Sequence, residues 1–301
     1  MKKGFDVVCF GSAVLDAFVK TNADEKDGNI LIPYGCKMLM EDLHFEIGGG
    51  GTNTAVAFSR LGLNTGYIGK VGHDTNGDEI LKLLKKENVE FLGSRTKKNT
   101  SGFSVVIRSR EKHRSILTYK GLNDEILKSD VKPFETKWLY LSSLMEKSLD
   151  TQIYLAKKLK AQGVKIAFNP SEYLIIRKNL KPLMKYCDVL VLNRTEAQLL
   201  DGKKNTAEHL ASYGPKIVAI TDAAKEVECY DSFSGRTYKA IPPKVKIVEK
   251  TGAGDAFAAG FVASLIVGKN VKDSVHFGIK EATAVLTHFG AKNNLIRMKL
   301  K

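Results

Sequence analysis

The chain has 301 residues, 43% hydrophobic and 27% charged, enough for one large or two small domains whose core needs no disulfide or metal staple. This balance excludes wholesale disorder, and 26 Gly and 7 Pro spread along the chain exclude collagen and a continuous coiled coil. The 47 basic residues against 33 acidic ones give a charge of +14; the lysines are scattered and no base-stacking motif accompanies them, so the charge reads as solvated faces and a field that attracts an anionic substrate, not as a nucleic-acid surface.

In chain order, the apolar stretch 5–19 is interrupted by Asp6 and Asp16 and is followed by no small-residue cleavage pattern, so it does not read as a signal peptide. Val7-Val8-Cys9-Phe10, ending at Gly11, reads as a central strand. Residues 52–61 carry apolar side chains at helical spacing and stop at Gly62; 65–71 read as a strand and 78–87 as an amphipathic helix. Four further buried strands are expected at 138–141, 165–168, 189–192 and 217–220, with helices at 149–161, 196–200 and 206–213 between them. Alternation of this kind means βαβ units and a mostly parallel sheet. Helices at 256–267 and 271–288 close the chain, and the first of these, the longest apolar stretch, is too short to span a bilayer. Residues 20–46 lack a helical period, and 101–120 read as a hairpin outside the main sheet, with a charged turn at 109–113. Cys9, Cys36, Cys187 and Cys229 form no C-x-x-C pair, which fits a reducing, cytoplasmic setting. The six His are scattered without metal spacing, and His113 and Arg114 in the hairpin turn read as solvated.

Three stretches carry chemistry. Thr251-Gly252-Ala253-Gly254-Asp255-Ala256-Phe257 runs straight into an apolar helix. Small residues there let backbone N–H groups, with the positive helix end, form an anion hole. Asp255 reads either as an N-cap or as a base for a hydroxyl attacking a phosphate; a cap alone does not call for the small residues, which favours the base. Gly48-Gly49-Gly50-Gly51-Thr52-Asn53 precedes another helix and permits close backbone approach to a ligand, with a hinge as the plainer alternative. It is neither a Walker A loop nor a dinucleotide fingerprint. Asn193-Arg194-Thr195-Glu196 follows a strand end, where ligands of parallel sheets bind; Asn193 and Glu196 share one side of a first helical turn, able to hold magnesium through water or simply to cap the helix.

Together these stretches resemble the PfkB carbohydrate kinase family, the ribokinase-like sugar and nucleoside kinases, from Gly11-Ser12 to Gly290-Ala291. Residues 48–62 resemble the family's N-terminal signature and 251–260 its C-terminal one; Asn193 and Glu196 match its N-x-x-E motif, and 69–77 and Gly121-Leu122-Asn123 also fit. The resemblance implies a single domain over 1–301, a three-layer αβα sandwich with a mostly parallel central sheet, and a small β-sheet lid formed by about 20–46 and 101–120. It implies ATP-dependent phosphorylation of a sugar or nucleoside hydroxyl, with Mg2+ and, in some members, K+. Asp255 would be the catalytic base and Gly252, Ala253 and Gly254 the anion hole. Asp16, Gly49, Gly50 and Asn53 would hold the acceptor. Asn193 and Glu196 would position magnesium and phosphates, Glu196 through water, and Thr221, Ala223 and Thr251 would lie at the nucleotide.

The departures are specific. In ribokinases, which this chain resembles, an Asn stands at the place of Val14 and a Lys at that of Gly50, and their loss here argues against ribose as acceptor. The family's Thr-x-Gly-x-x-Gly reads Thr221-Asp222-Ala223-Ala224-Lys225-Glu226, and Glu249 stands beside the cation site where many members have Asp, which leaves potassium open. The rival readings are a phosphosugar kinase, with Lys37, Arg108 or Lys120 as its extra cations, and a non-catalytic sensor, against which the intact Asp255 argues. A homodimer joined through the lids is expected, because Phe103, Val105 and Ile107 give the hairpin an apolar face.

Overall fold

Alternate residues of the first strand serve two different cores. Val7 and Cys9 pack on one side of Gly4–Phe10, Val8 and Phe10 on the other. A strand buried on both faces belongs inside a parallel sheet with helices on each side. In the computed structural model, which describes residues 4–300, it lies in a nine-stranded sheet ordered Arg236–Ala240, Val227–Asp231, Ile217–Thr221, Val189–Asn193, Lys165–Asn169, Glu135–Ser142, Gly4–Phe10, Thr65–Ile68 and Glu90–Phe91. The pairs are parallel except at the Val227–Asp231 and Arg236–Ala240 end, which is antiparallel.

Helices Gly50–Arg60, Thr75–Lys86, Ala253–Ile266 and Val271–Leu286 cover one face, and Glu146–Lys160, Arg194–Asp201 and Ala207–Ala211 the other. This is the expected three-layer sandwich. Ala253–Ile266 is buried without a break from Ala256 to Ser264, as a helix that is apolar all round must be. Its burial fixes the direction of its first turn, the end that carries Asp255. Among the described residues no helix is long and apolar enough to cross a membrane.

A separate four-stranded sheet has the order Arg114–Tyr119, Gly102–Arg108, Val14–Thr21 and Met40–Gly48. It begins at Val14 rather than near residue 20, so the chain passes from the central sheet directly into this one. Gly102–Arg108 runs parallel to Val14–Thr21, placing Ser104 beside Asp16 and Val105 beside Ala17. Because strand side chains alternate, Phe103, Val105 and Ile107 face away from Asp16. The stretch 65–71, expected as one strand, breaks at Gly69: Thr65–Ile68 stays in the central sheet, while Lys70–Gly72 pairs with Ser94–Thr96.

Candidate active site

Ser142, Asn169, Asn193 and Thr221 are the last residues of four neighbouring parallel strands, with Ser142 opposite Asn169 and Asn193 opposite Thr221. Apolar strands that each end on a polar residue make a polar floor at the carboxyl edge, where open α/β sheets bind ligands. A cavity of about 300 Å³ lies there, closed by Gly50, Glu196, Gly252, Gly254 and Asp255.

Gly252 is the N-cap of Ala253–Ile266, at φ 81°, and makes no side-chain cap. Asp255 therefore stands in the first turn and is not the N-cap. A side chain at Gly252 would collide with Ala291, so the left-handed turn and the close approach both require glycine. Burial raises the pKa of Asp255, against the hydrogen bond from Asn53 and the charge of Lys292, which lower it. Asn53 Nδ2 donates to Asp255 Oδ2 at 2.7 Å. The buried Lys292 donates to Asn53 Oδ1 at 2.5 Å and to the Ile47 carbonyl.

Asp16 joins this group from the small sheet. A Cβ at Gly48 would overlap Asp16 Oδ2, so the glycine lets the carboxylate lie against the backbone. Burial raises the Asp16 pKa; a bond from Ser104 and the charge of Lys292 oppose this. Gly49, the N-cap of Gly50–Arg60, does not line the cavity, nor do Asn53, Asp16 and Ala253; Asn53 reaches it through its bond to Asp255.

Asn193 and Glu196 form a reciprocal capping box: Asn193 Oδ1 accepts from the Glu196 N–H at 2.8 Å, and Glu196 Oε2 from the Asn193 N–H at 2.7 Å. The plain cap is thus real, yet both residues also line the cavity. Burial pushes Glu196 up to about 7; the Asn193 N–H opposes this and the charge of Asp255 adds to it.

Thr221 lines the cavity, while Ala223 and Thr251 do not. Ala223 keeps a left-handed φ of 48° in the turn that returns from Asp222 to Glu226, so the loop holds a glycine-like conformation without the glycine, at about 1–2 kcal/mol. Thr251 Oγ1 donates to Glu249 at 2.9 Å, and Arg114 donates to both residues. Burial raises the Glu249 carboxyl, but Thr251 and Arg114 outweigh it and hold it below its ordinary value. His113 and Arg114 are exposed, as expected, and both also have partners: Arg114 ties the hairpin to the loop before the anion hole, and His113 Nδ1 pairs with Glu25 at 2.7 Å.

The cavity brings together Gly50, Asn193, Glu196, Thr221, Gly252, Gly254 and Asp255. Sequence reasoning did not single out Ser142 and Asn169, although each directly follows an expected strand run, or Lys292, which lies in no regular element. A larger cavity of about 410 Å³ under the hairpin, between Phe18, Arg108 and Ile247, is lined by none of the expected site residues.

The family model for pfkB family carbohydrate kinases matches residues 5–297. The chain belongs to the PfkB carbohydrate kinase family. This kinase is 28% identical to a ribokinase of Lactococcus lactis over 98% of its own length and 97% of the relative's. It is 26% identical to a 5-dehydro-2-deoxygluconokinase of Clostridium perfringens, over 98% and 90% of the two chains. A cytidine kinase of Thermococcus kodakarensis is 35% identical over 47% of the kinase and 53% of that protein. The fold superposes on ribokinase from Giardia lamblia with a TM-score of 0.84 at 18% identity, covering 97% of both chains. It superposes on Arabidopsis thaliana ribokinase complexed with ribose and ATP with a TM-score of 0.80 at 22% identity, covering 98% and 96%. The chain is a carbohydrate or nucleoside kinase.

Proposed function

We propose that this kinase transfers the γ-phosphoryl group of ATP to a hydroxyl of a neutral sugar or nucleoside, with Asp255 as general base. The observation that carries the reading is the Asp255 carboxylate, held by Asn53 at the cavity in the first turn of a helix whose N-cap is a left-handed glycine. Asp255 takes the acceptor hydroxyl proton as the oxygen attacks the γ-phosphorus and the bond to the bridging oxygen breaks. The N–H groups of Gly252, Ala253 and Gly254 receive the charge that develops. The small sheet carrying Asp16 acts as the lid of this single domain. Glu196 and Asp255 set two carboxylates on one cavity, and the charge of Asp255 disfavours that of Glu196, which suits a hard divalent cation. Glu196, through water, and Asn193 would hold Mg2+, which would offset phosphate charge. Thr221 faces the nucleotide, with Ala223 and Thr251 in the loops beside it. A monovalent cation is not needed in this reading, because Arg114 already meets the charge of Glu249.

The acceptor is a polyhydroxy compound larger than ribose. Ser142 Oγ is buried with no partner among the described residues, a cost of about 1–3 kcal/mol that a ligand hydroxyl would relieve. Glycine at position 50 brings no side chain into the cavity that it lines with Ser142 and Asp255, and Val14 is buried and apolar. A phosphosugar is disfavoured because only one of its three expected cations is at the cavity: Lys120 lines it, with its ammonium held over Tyr173 at 4.0 Å from the ring centroid, while Lys37 is exposed and Arg108 lines the other cavity. ADP release across pentoses, hexoses, phosphosugars and nucleosides tests this. A neutral acceptor bulkier than ribose should give the highest kcat/KM; ribose or a phosphosugar in first place would overturn the acceptor reading.

A second copy of the chain is proposed to cover the outer face of the small sheet, where Phe45, Leu117 and Tyr119 are 56%, 62% and 52% exposed beside Val105. Light scattering should give twice the 33.2 kDa of one chain; a single-chain mass at micromolar concentration would reject the dimer. Val105→Asp should split it without a matching loss of acceptor binding, because Val105 and Asp16 face opposite sides of the sheet.

A further inference from the structure

Lys292 is buried beside the site, bonded to Asn53, and has no part in the chemistry above. Its ammonium can only donate hydrogen bonds. Asn53 must therefore turn Oδ1 toward Lys292, at 2.5 Å, and its Nδ2 away, where it meets Asp255 Oδ2 at 2.7 Å. One oxygen of the Asp255 carboxylate is thereby occupied. The other, Oδ1, lies beside Gly50, which lines the cavity with it: a Cβ there would stand 3.4 Å from Asp255 Oδ1 and 3.2 Å from Ser142 Oγ, too close for a side chain without a shift of its neighbours.

We propose that Lys292 is a positioning residue for phosphoryl transfer: through Asn53 it turns Asp255 Oδ1 toward the acceptor hydroxyl. The proposal rests on the reading of Asp255 as the base. A lysine does reach this site, then, from the far end of the chain and not from position 50.

The charged groups facing Lys292 are Asp16 and Glu46 from the small sheet, Asp255 from Ala253–Ile266, and Arg60 from Gly50–Arg60. Burial drives its pKa down to about 8, opposed by the three carboxylates and assisted by Arg60, so the ammonium is largely kept at neutral pH. Without it, Asp255 retains the burial that raises its pKa and loses one of the two effects that lower it. A base works deprotonated, and its activity disappears as pH falls through its pKa; a raised pKa moves that acid limb upward.

The test uses the full chain with ATP and the acceptor that gives ADP release, and measures kcat and KM across pH for wild type, Lys292→Met and Lys292→Arg. Lys292→Met should lower kcat about 10-fold or more and shift the acid limb to higher pH, with KM for ATP unchanged. Lys292→Arg, which keeps the charge, should hold the limb near the wild-type position. If Lys292→Met does not fold, Lys292→Gln takes its place with the same expectation. A merely structural lysine would lower stability and leave the limb where it is, and that result overturns the proposal. Asp255→Asn run beside it separates the two claims. Turnover retained there removes the base itself; turnover lost there, with an unmoved limb in Lys292→Met, removes only the role of Lys292.

Discussion

Replacing Asp255 with Asn should lower kcat by about 10²–10⁴-fold, the ordinary contribution of a general base, with fold and ATP affinity nearly unchanged. The amide has the shape of the carboxylate and can still accept from Asn53 Nδ2 through its oxygen, so the loss falls on proton transfer and not on packing. ADP release measures the rate, and titration calorimetry with ATP checks that the nucleotide site survives. Near wild-type turnover on a confirmed acceptor would show that the proton goes elsewhere. In the wild type, burial outweighs Asn53 and Lys292 and leaves the Asp255 pKa raised. Activity is therefore lost on the acid side earlier than an ordinary Asp would allow.

The largest stability effect should come from Glu87→Ala. Glu87 is 4% exposed and accepts from Arg60 Nη2 at 2.6 Å, Arg60 Nε at 3.0 Å and Arg297 Nη2 at 3.1 Å. Removing one partner of a buried ion pair strands the other charge and costs about 3–5 kcal/mol. The same Arg60 donates to the Lys292 carbonyl, so the network anchors the segment that brings Lys292 to Asn53. The bond from Arg60, ahead of the opposing burial, holds the Glu87 pKa below 4.5. A lowered folded pKa stabilises at pH values above the unfolded value, and that stability is lost as pH falls through the folded one. Urea unfolding at neutral pH should show a clear fall in midpoint for Glu87→Ala, shrinking in acid. A change within about 0.5 kcal/mol, typical of a surface site, would refute the network's role.

Much of the architecture was legible because parallel strands buried on both faces read as continuous apolar runs, as Val189–Asn193 and Ile217–Thr221 do. The antiparallel strands Val227–Asp231 and Arg236–Ala240 escaped notice because an edge alternates polar with apolar residues and carries no such run. Val14–Thr21 was hidden because Asp16 interrupts it, and Asp16 is tolerated there because it packs against Gly48 with Ser104 and Lys292 around it. Asp255 and Glu196 announced themselves through small residues and N-x-x-E spacing. Lys292 could not, because a lysine in an irregular tail reads as solvated until the fold closes Asn53, Asp16 and Asp255 around it.

The most direct test of the account is phosphorus NMR of the kinase incubated with ATP and a set of neutral sugars and nucleosides. A new phosphomonoester signal should grow as ADP forms, and the Asp255→Asn protein should produce none in the same time. No phosphomonoester from any neutral acceptor, or equal signal from both proteins, would contradict it.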